Sequence, residues 1–285
     1  MIEITLSDHT ADQSSLAAAK RKAEYEAAYG AYARAVAQRK AKGTALRQAS
    51  REWLQAGKYG AWLISFFPRM AHALSGSPKE PQMAEASRNE MVWNAGGEGE
   101  QRVSDSLKQI FSDEWTVVSG YKNRGGEIDK ILVGPTGVLA IEIKFVNGRV
   151  SCAGDRWWRD KYDKYGNLVQ SNVPIADKRG RGPSAQVNDA ADRLQEFLHK
   201  RGIALRVARA VVLSHSSSSI SQFQGQTVDL IATLDQLIAS ELSSAVTGGL
   251  GGGTAQQILT LIKKDHEFNA RPPSHGNRHR RQGLL

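Results

Sequence analysis

An α/β fold with a mixed central sheet flanked by helices is what this sequence predicts, and three observations carry the expectation. Short apolar runs of strand character at 115–119, 128–133, 138–146 and 205–213 alternate with helical periods at 98–111 and 184–200. Hydrophobic residues make up 40% of the chain and charged residues 24%, a globular balance that excludes a wholly disordered polypeptide. The texture also changes twice along the 285 residues. A basic helical region over 1–90 gives way to the α/β domain over 91–245. A Gly-rich linker, a short helix and a flexible basic tail then occupy 246–285.

Residues 14–57 are rich in Ala, Lys, Arg, Gln and Glu, which favour helix. Gly30, Gly43 and Gly57 predict breaks, so two or three helices are expected rather than one rod. Tyr25, Tyr29, Tyr32 and Val36 recur at helical spacing and predict a buried stripe. Lys20, Arg21, Lys22, Arg34, Arg39, Lys40, Lys42, Arg47 and Arg51 crowd the same region, as a solvated face or one that contacts phosphate. The apolar run 61–67 stops at Pro68 and Arg69, far short of the roughly 20 residues that span a bilayer. It reads as a packing surface. Residues 75–81 carry Pro78, Pro81 and small polar residues, a linker composition.

In the second region the helix over 98–111 is opened by glycines and places Val103, Leu107 and Ile110 on one face. Strands follow at 115–119, 128–133 and 138–146, the last two joined by Gly134-Pro-Thr-Gly137, which is turn chemistry. Residues 149–170 read as an irregular hairpin bearing Trp157, Trp158, Tyr162 and Tyr165. Pro183 starts a helix over 184–200 with Val187, Ala191, Leu194 and Leu198 as its stripe. Strands at 205–213 and 227–232 and a helix at 234–242 complete the domain. Beyond the linker 248–253, a helix is expected over 254–268. The tail from Asn269 holds Arg271, Arg278, Arg280, Arg281, His275 and His279, a solvated segment able to bind nucleic acid without order.

The formal net charge of +9 favours a polyanionic partner, either nucleic acid or an anionic membrane surface. Cys152 is the single cysteine, which excludes an intrachain disulfide and a cysteine-based metal cluster and accords with a reducing compartment. The opening Met1-Ile-Glu-Ile-Thr-Leu-Ser-Asp lacks a basic segment followed by an apolar core, so the expectation is a cytoplasmic chain without a secretory signal or transmembrane segment.

The chemistry concentrates between Glu127 and Lys144. If the two strands pair antiparallel around Pro135-Thr136, facing residues have numbers that add to 271, which sets Asp129 opposite Glu142. Such neighbours have Cβ atoms about 4.5–5.5 Å apart. Lys144 lies two residues beyond Glu142 and points to the same face, while Ile141, Ile143 and Phe145 point to the other. Buried charge is destabilising without partners. An edge-strand salt bridge is one resolution. A divalent cation held by the two carboxylates is the other, since Mg²⁺ takes oxygen ligands and is commonly bound through one or two carboxylates.

These residues resemble a family. Gly96-Gly-Glu-Gly-Glu100 before a helix, Glu127-Ile-Asp129, Gly134-Pro-Thr-Gly137 and Ile141-Glu-Ile-Lys144 are similar to the nuclease-related domain, NERD, of the PD-(D/E)xK superfamily. Asn147-Gly-Arg-Val150, the tryptophan-bearing hairpin and Pro183-Ser-Ala-Gln186 extend the likeness over the middle half of the chain. The resemblance implies a restriction-endonuclease-like core and a metal-dependent phosphodiesterase acting on DNA, with Mg²⁺ or Mn²⁺ as cofactor. It implies that Asp129 and Glu142 are the main metal ligands and that Glu100 completes or supports the site, with Glu98 the alternative. It makes Lys144 the residue that positions or deprotonates the attacking water, assisted by Gln186.

One stretch departs from the family pattern. Ile175-Ala-Asp-Lys-Arg-Gly-Arg-Gly182 is a longer basic loop, and its Lys178, Arg179 and Arg181 are candidates to grip a phosphate backbone. Trp157 or Trp158 is a candidate to stack on an unpaired base, the other belonging to the core, because adjacent strand residues face opposite ways. Two alternatives stay open: a nucleic-acid-binding or assembly module that does not cut, and a nuclease activated by a partner such as a helicase or a defence-system sensor. The N-terminal helices would be the surface for that partner or for self-association.

Overall fold

The computed structural model describes residues 1–237, 246, 249–251 and 253–270. The chain divides into two units, one formed by Gln13–Met91 and the other by the residues on either side of it.

The flanking residues build the α/β unit. Strands β1 (Ile2–Thr5), β2 (Thr116–Lys122), β3 (Glu127–Gly134) and β4 (Gly137–Lys144) enter one sheet; β5 (Gly148–Ala153), β6 (Arg156–Tyr162) and β7 (Leu168–Pro174) enter another. The later strands β8 (Val207–Leu213) and β10 (Leu230–Thr233) join the first, and β9 (Ser218–Gln224) joins the second. The orders are β1-β2-β3-β4-β8-β10 and β7-β6-β5-β9. The β2-β3-β4 meander is antiparallel, whereas β1, β8 and β10 pair parallel to their neighbours. The expected mixed sheet is therefore present.

Both faces of the larger sheet are covered, which is why Val138-Leu-Ala-Ile-Glu-Ile143 reads as an almost continuous apolar run. In chain order α1 is His9–Gln55, α2 Tyr59–Ile64, α3 Phe66–Leu74, α4 Arg88–Ile110, α5 Pro183–His199 and α6 Thr254–Asn269. Val103 and Leu107 of α4 pack with Leu139, Ile141 and Ile143 on one face. Val187, Ala191 and Leu194 of α5 and Ile258 and Ile262 of α6 pack with Ile131, Val133, Val138 and Ala140 on the other. Each fully buried Leu, Ile or Val is worth roughly 1.5–3 kcal/mol. This two-sided burial fixes the direction in which every β4 side chain points.

Several expectations need correction. α4 starts at Arg88, so Gly96, Gly97 and Gly99 lie inside it rather than opening it. Residues 149–170 form parts of a three-stranded antiparallel run, β5-β6-β7, not a lone hairpin. β1 and β9 were not foreseen, and the short strand expected over 227–232 lies at Leu230–Thr233. Of the helix expected over 234–242, a 3-10 turn covers Leu234–Gln236, and residues 238–242 lie outside the described residues. So does the basic tail from Arg271. Helix α6, assigned to an appendage from the sequence, is part of this unit's core. Its Asp265 accepts the Tyr121 hydroxyl at 2.5 Å, and its His266 Nδ1 accepts the Lys122 N–H at 3.1 Å. The helical region begins at Gln13 rather than at residue 1, because residues 1–12 belong with the α/β unit, and it ends at Met91, one residue from the expected boundary.

The second unit is helical, as expected, but α1 runs unbroken through Gly30 and Gly43. Gly43 serves close approach instead of termination: a Cβ there would lie 2.7 Å from His72 Nε2 of α3. Ser65 donates to Ser50 Oγ at 3.1 Å, and Arg39 donates to the His72 and Ser75 carbonyls. The tyrosine stripe is not buried. Tyr25, Tyr29 and Tyr32 form a ladder of tilted rings with centroids 6.0 and 5.9 Å apart, and Tyr29 and Val36 are exposed. Pro68 sits in the first turn of α3, where its missing N–H does no harm. Among the described residues no helix is long and apolar enough to cross a membrane.

Candidate active site

The β3-β4 hairpin has the register read from the sequence. Gly134 pairs with Gly137, and the ladder continues to Lys130 opposite Ile141. Asp129 and Glu142 occupy the next position. There the ladder ends, and the Asp129 carboxylate itself accepts the Ile143 N–H at 2.7 Å, in place of a main-chain partner. The same face carries Ile131 and Val133 on β3 and Val138 and Ala140 on β4, so Asp129, Glu142 and Lys144 project together toward α5.

Two helices complete the cleft. From α5, Gln186 Oε1 accepts a hydrogen bond from Lys144 Nζ at 3.2 Å, while its own Nε2 donates to the Arg181 carbonyl at 2.8 Å. From α4 comes Glu100. Its neighbour Gly99 explains why the motif contains glycine: a Cβ there would lie 2.4 Å from Ser214 Oγ and 2.9 Å from a Phe145 ring carbon. Only glycine lets α4 pass that close to the ends of β4 and β8, and that approach brings Glu100 to the site. Glu100 Oε1 accepts the Thr10 hydroxyl at 3.4 Å. Thr10, Glu100, Glu127, Asp129, Glu142, Lys144, Arg181 and Gln186 line one cleft of about 270 Å³. Glu98 is exposed and pairs with Arg102, so it has no part in the cleft.

Electrostatically the cleft is an acid cluster around the Lys144 ammonium, with Arg181 also in its lining. Glu142 is 4% exposed. Burial, then the Asp129 carboxylate, push its pKa up to about 8, against the pull of Lys144. Burial and Asp129 push Glu100 up to about 7. Burial also raises Asp129, opposed by Lys144 and the Ile143 N–H. Burial by itself would lower Lys144, but Glu142 and Asp129 outweigh it and lift its pKa, and the ammonium forms an ion pair with Glu142. A single lysine therefore faces several carboxylates that disfavour one another's charge.

Residues 95–214 match the family model of the nuclease-related domain, NERD. The chain carries a nuclease-related domain. No curated protein and no solved structure matches the chain. The matched segment of the nuclease-related domain contains Glu100, Asp129, Glu142, Lys144 and Gln186, and it leaves out β1, Thr10 and α6, which the fold adds to the same unit.

The remaining candidates fare differently. Arg181 lines the cleft, but its guanidinium is bound by Asp177 at 2.8 Å and Asp189 at 2.7 Å, so its charge is already shared. Asp177 also accepts the Arg179 and Arg181 N–H groups, which orders this loop. Lys178 and Arg179 are exposed and outside the cleft lining. Trp157 is a correction. It is 3% exposed, its ring lies 5.7 Å from that of Phe223, and its Nε1 donates to Ser184 Oγ at 2.9 Å. It is a core residue with no face to offer a base, and Trp158 is the half-buried member of the pair. Thr10 was missed because nothing in its local sequence signals a partner 90 positions away.

The donor set fits a hard divalent cation: buried carboxylate oxygens, excess negative charge, no sulfur and no imidazole in the lining. Among the described residues no three acidic, histidine or cysteine side chains converge as a ready-made cage. Two carboxylates of the cluster are turned to other partners, Glu142 to Lys144 and Asp129 to the Ile143 N–H.

Proposed function

We propose that the nuclease-related domain hydrolyses phosphodiester bonds of DNA with the help of a divalent cation. The observation that carries this reading is that Asp129, Glu142, Glu100 and Lys144 line one cleft, with three carboxyl groups raised in pKa by burial and mutual repulsion. Buried groups with strongly perturbed pKa values in a cleft are typical of chemical sites. Asp129, Glu142 and Glu100 would hold Mg²⁺ or Mn²⁺. Bound there, the cation would lower the pKa of a water molecule and draw charge from the scissile phosphate.

The chain's own residues supply the rest. Lys144 is held as an ammonium by Glu142 and Asp129, so it acts as a charge-offsetting donor to the phosphate oxygens rather than as a base. Gln186 fixes the position of Nζ from α5. In the hydrolysis the water oxygen bonds to phosphorus and gives up a proton to solvent, the bond to the leaving sugar oxygen breaks, and that oxygen takes up a proton from solvent in turn. Cleavage of a supercoiled plasmid in Mg²⁺ or Mn²⁺ tests the reading. Wild type should cut, and Asp129→Ala and Lys144→Ala should each lose at least about a hundredfold in rate, in keeping with the loss of an electrostatic or acid–base group. Equal activity in all three would sink the assignment. DNA binding without cleavage by the wild type in either metal would favour a non-cutting module.

A further inference from the structure

A second depression lies beside the cleft. Helices α5 and α6 and the turn between β2 and β3 line a groove of about 480 Å³. Five cationic side chains line it, Arg124, Arg193, Lys200, Arg201 and Lys264, against two acids, Glu196 and Asp265. The acids are spoken for. Glu196 binds Arg193 at 3.0 Å and Lys200 at 2.7 Å, and Asp265 accepts the Tyr121 hydroxyl. Arg124 and Lys264 are exposed and make no ion pair among the described residues. The Arg201 guanidinium lies 3.5 Å from the centroid of the Phe197 ring, and Phe268 on α6 is 62% exposed.

The groove and the catalytic cleft share a wall. Asn123 and Arg124 line the groove, and Gly126 and Glu127 of the same turn line the cleft. Arg124 and Gly126 are two positions apart, a span of at most about 7 Å. That wall is rigid. Asn123 Nδ2 donates to the Ala190 carbonyl at 2.8 Å, its Oδ1 accepts the Gly125 and Gly126 N–H groups, and Arg181 donates to the Gly125 carbonyl at 3.3 Å. A Cβ on Gly125 would lie 2.3 Å from the Asp189 carbonyl oxygen, so the turn is pressed against α5.

We infer that the α5-α6 groove binds one unpaired nucleic-acid strand and leads it over the β2-β3 turn to the acid cleft, a role that rests on the nuclease reading of that cleft. The cationic and aromatic lining of the groove suits a single strand, whose bases are free to stack. The surplus cations of the lining suit phosphates, and Phe268 with the Arg201-capped Phe197 offers surfaces on which bases stack. Helix α6, which supplies one wall of the groove, lies beyond the matched family segment.

The test measures affinity of the full chain for a fluorescent oligothymidylate and for a duplex of equal length, with chelator present and cleavage silenced. Wild type is compared with Arg124→Ala/Arg201→Ala/Lys264→Ala and with the single Lys264→Glu. Single strands lose about 0.7 in log–log salt slope per phosphate contact removed, so the triple variant should be shallower by about 2 and weaker by about 100-fold at 0.1 M salt. Lys264→Glu, on an exposed helix face, keeps the fold and should weaken binding in the same direction. Unchanged affinity and slope in a folded triple variant overturn the proposal, as does a duplex bound more tightly through these residues than the single strand. The nuclease reading fails separately: if strand binding follows the groove residues but no metal supports cutting, the groove stands and the hydrolase does not. If the triple variant binds and cuts like wild type, the hydrolase stands and the groove does not.

Discussion

Replacing Glu142 by glutamine should reshape how stability depends on pH. A carboxyl raised from 4.5 to about 8 has its charged form disfavoured by about 5 kcal/mol, at 1.36 kcal/mol for each tenfold change in proton affinity. The proton is shared with Asp129 and Glu100, which Glu142 also repels, so the part removed by one substitution is a few kcal/mol. The folded protein binds this proton more tightly than the unfolded chain does. The contribution is therefore fully present below about pH 4.5 and is lost as pH rises through about 8. Urea unfolding with chelator, between pH 5.5 and 8.5, reads this directly. Wild type should lose stability across that window, and Glu142→Gln should lose less by about 2–4 kcal/mol, because titrations remote from the cleft cancel in the difference. Magnesium at about 100 times its dissociation constant should then raise wild-type stability at pH 8 by about 2.7 kcal/mol and raise Glu142→Gln by less. Parallel pH profiles for the two proteins would refute the description of the cleft as a cluster of mutually repelling acids.

Three further outcomes follow from the packing. Trp157→Ala should reduce stability by about 3–5 kcal/mol in urea unfolding, as a buried aromatic does, whereas Trp158→Ala should change it by under about 1 kcal/mol. Gly99→Ala should reduce stability by about 1–3 kcal/mol through overpacking against Ser214 and Phe145; plasmid cleavage should fall with it, because Glu100 is displaced. Ile262→Ala, outside the matched segment but fully buried, should reduce stability of the nuclease-related domain by about 2–5 kcal/mol and be detected as loss of amide-exchange protection in β2 and β3.

Legibility followed sequence distance. The facing of Asp129 and Glu142 was readable because Pro135-Thr136 closes the hairpin in two residues, and a tight turn fixes register for the whole ladder. Lys144 followed from the period of two, and Glu100 from a motif whose glycine the helix–sheet contact accounts for. The faces of Trp157 and Trp158 were undecided, since alternation says that one is inward but not which. β1 was illegible: four residues give almost no periodicity, and their partner Thr116 is more than a hundred positions away. Gly30 and Gly43 misled because a helix interior tolerates glycine at about 1 kcal/mol, and Gly43 faces His72. The helix α6 was expected from the sequence, but nothing local told which surface it would cover.

Thr10 and Glu100 meet at 3.4 Å, and a Cβ on Gly96 would lie 3.3 Å from the Thr10 methyl. The residues between them include the whole helical unit Gln13–Met91. The chain thus leaves the nuclease-related unit and re-enters it at nearly the same point, so the helical unit has the topology of an inserted module. Insertions of this kind are tolerated where the host closes across their ends. The contact of Thr10 with α4 therefore ties the two ends of the excursion together at the wall of the acid cleft.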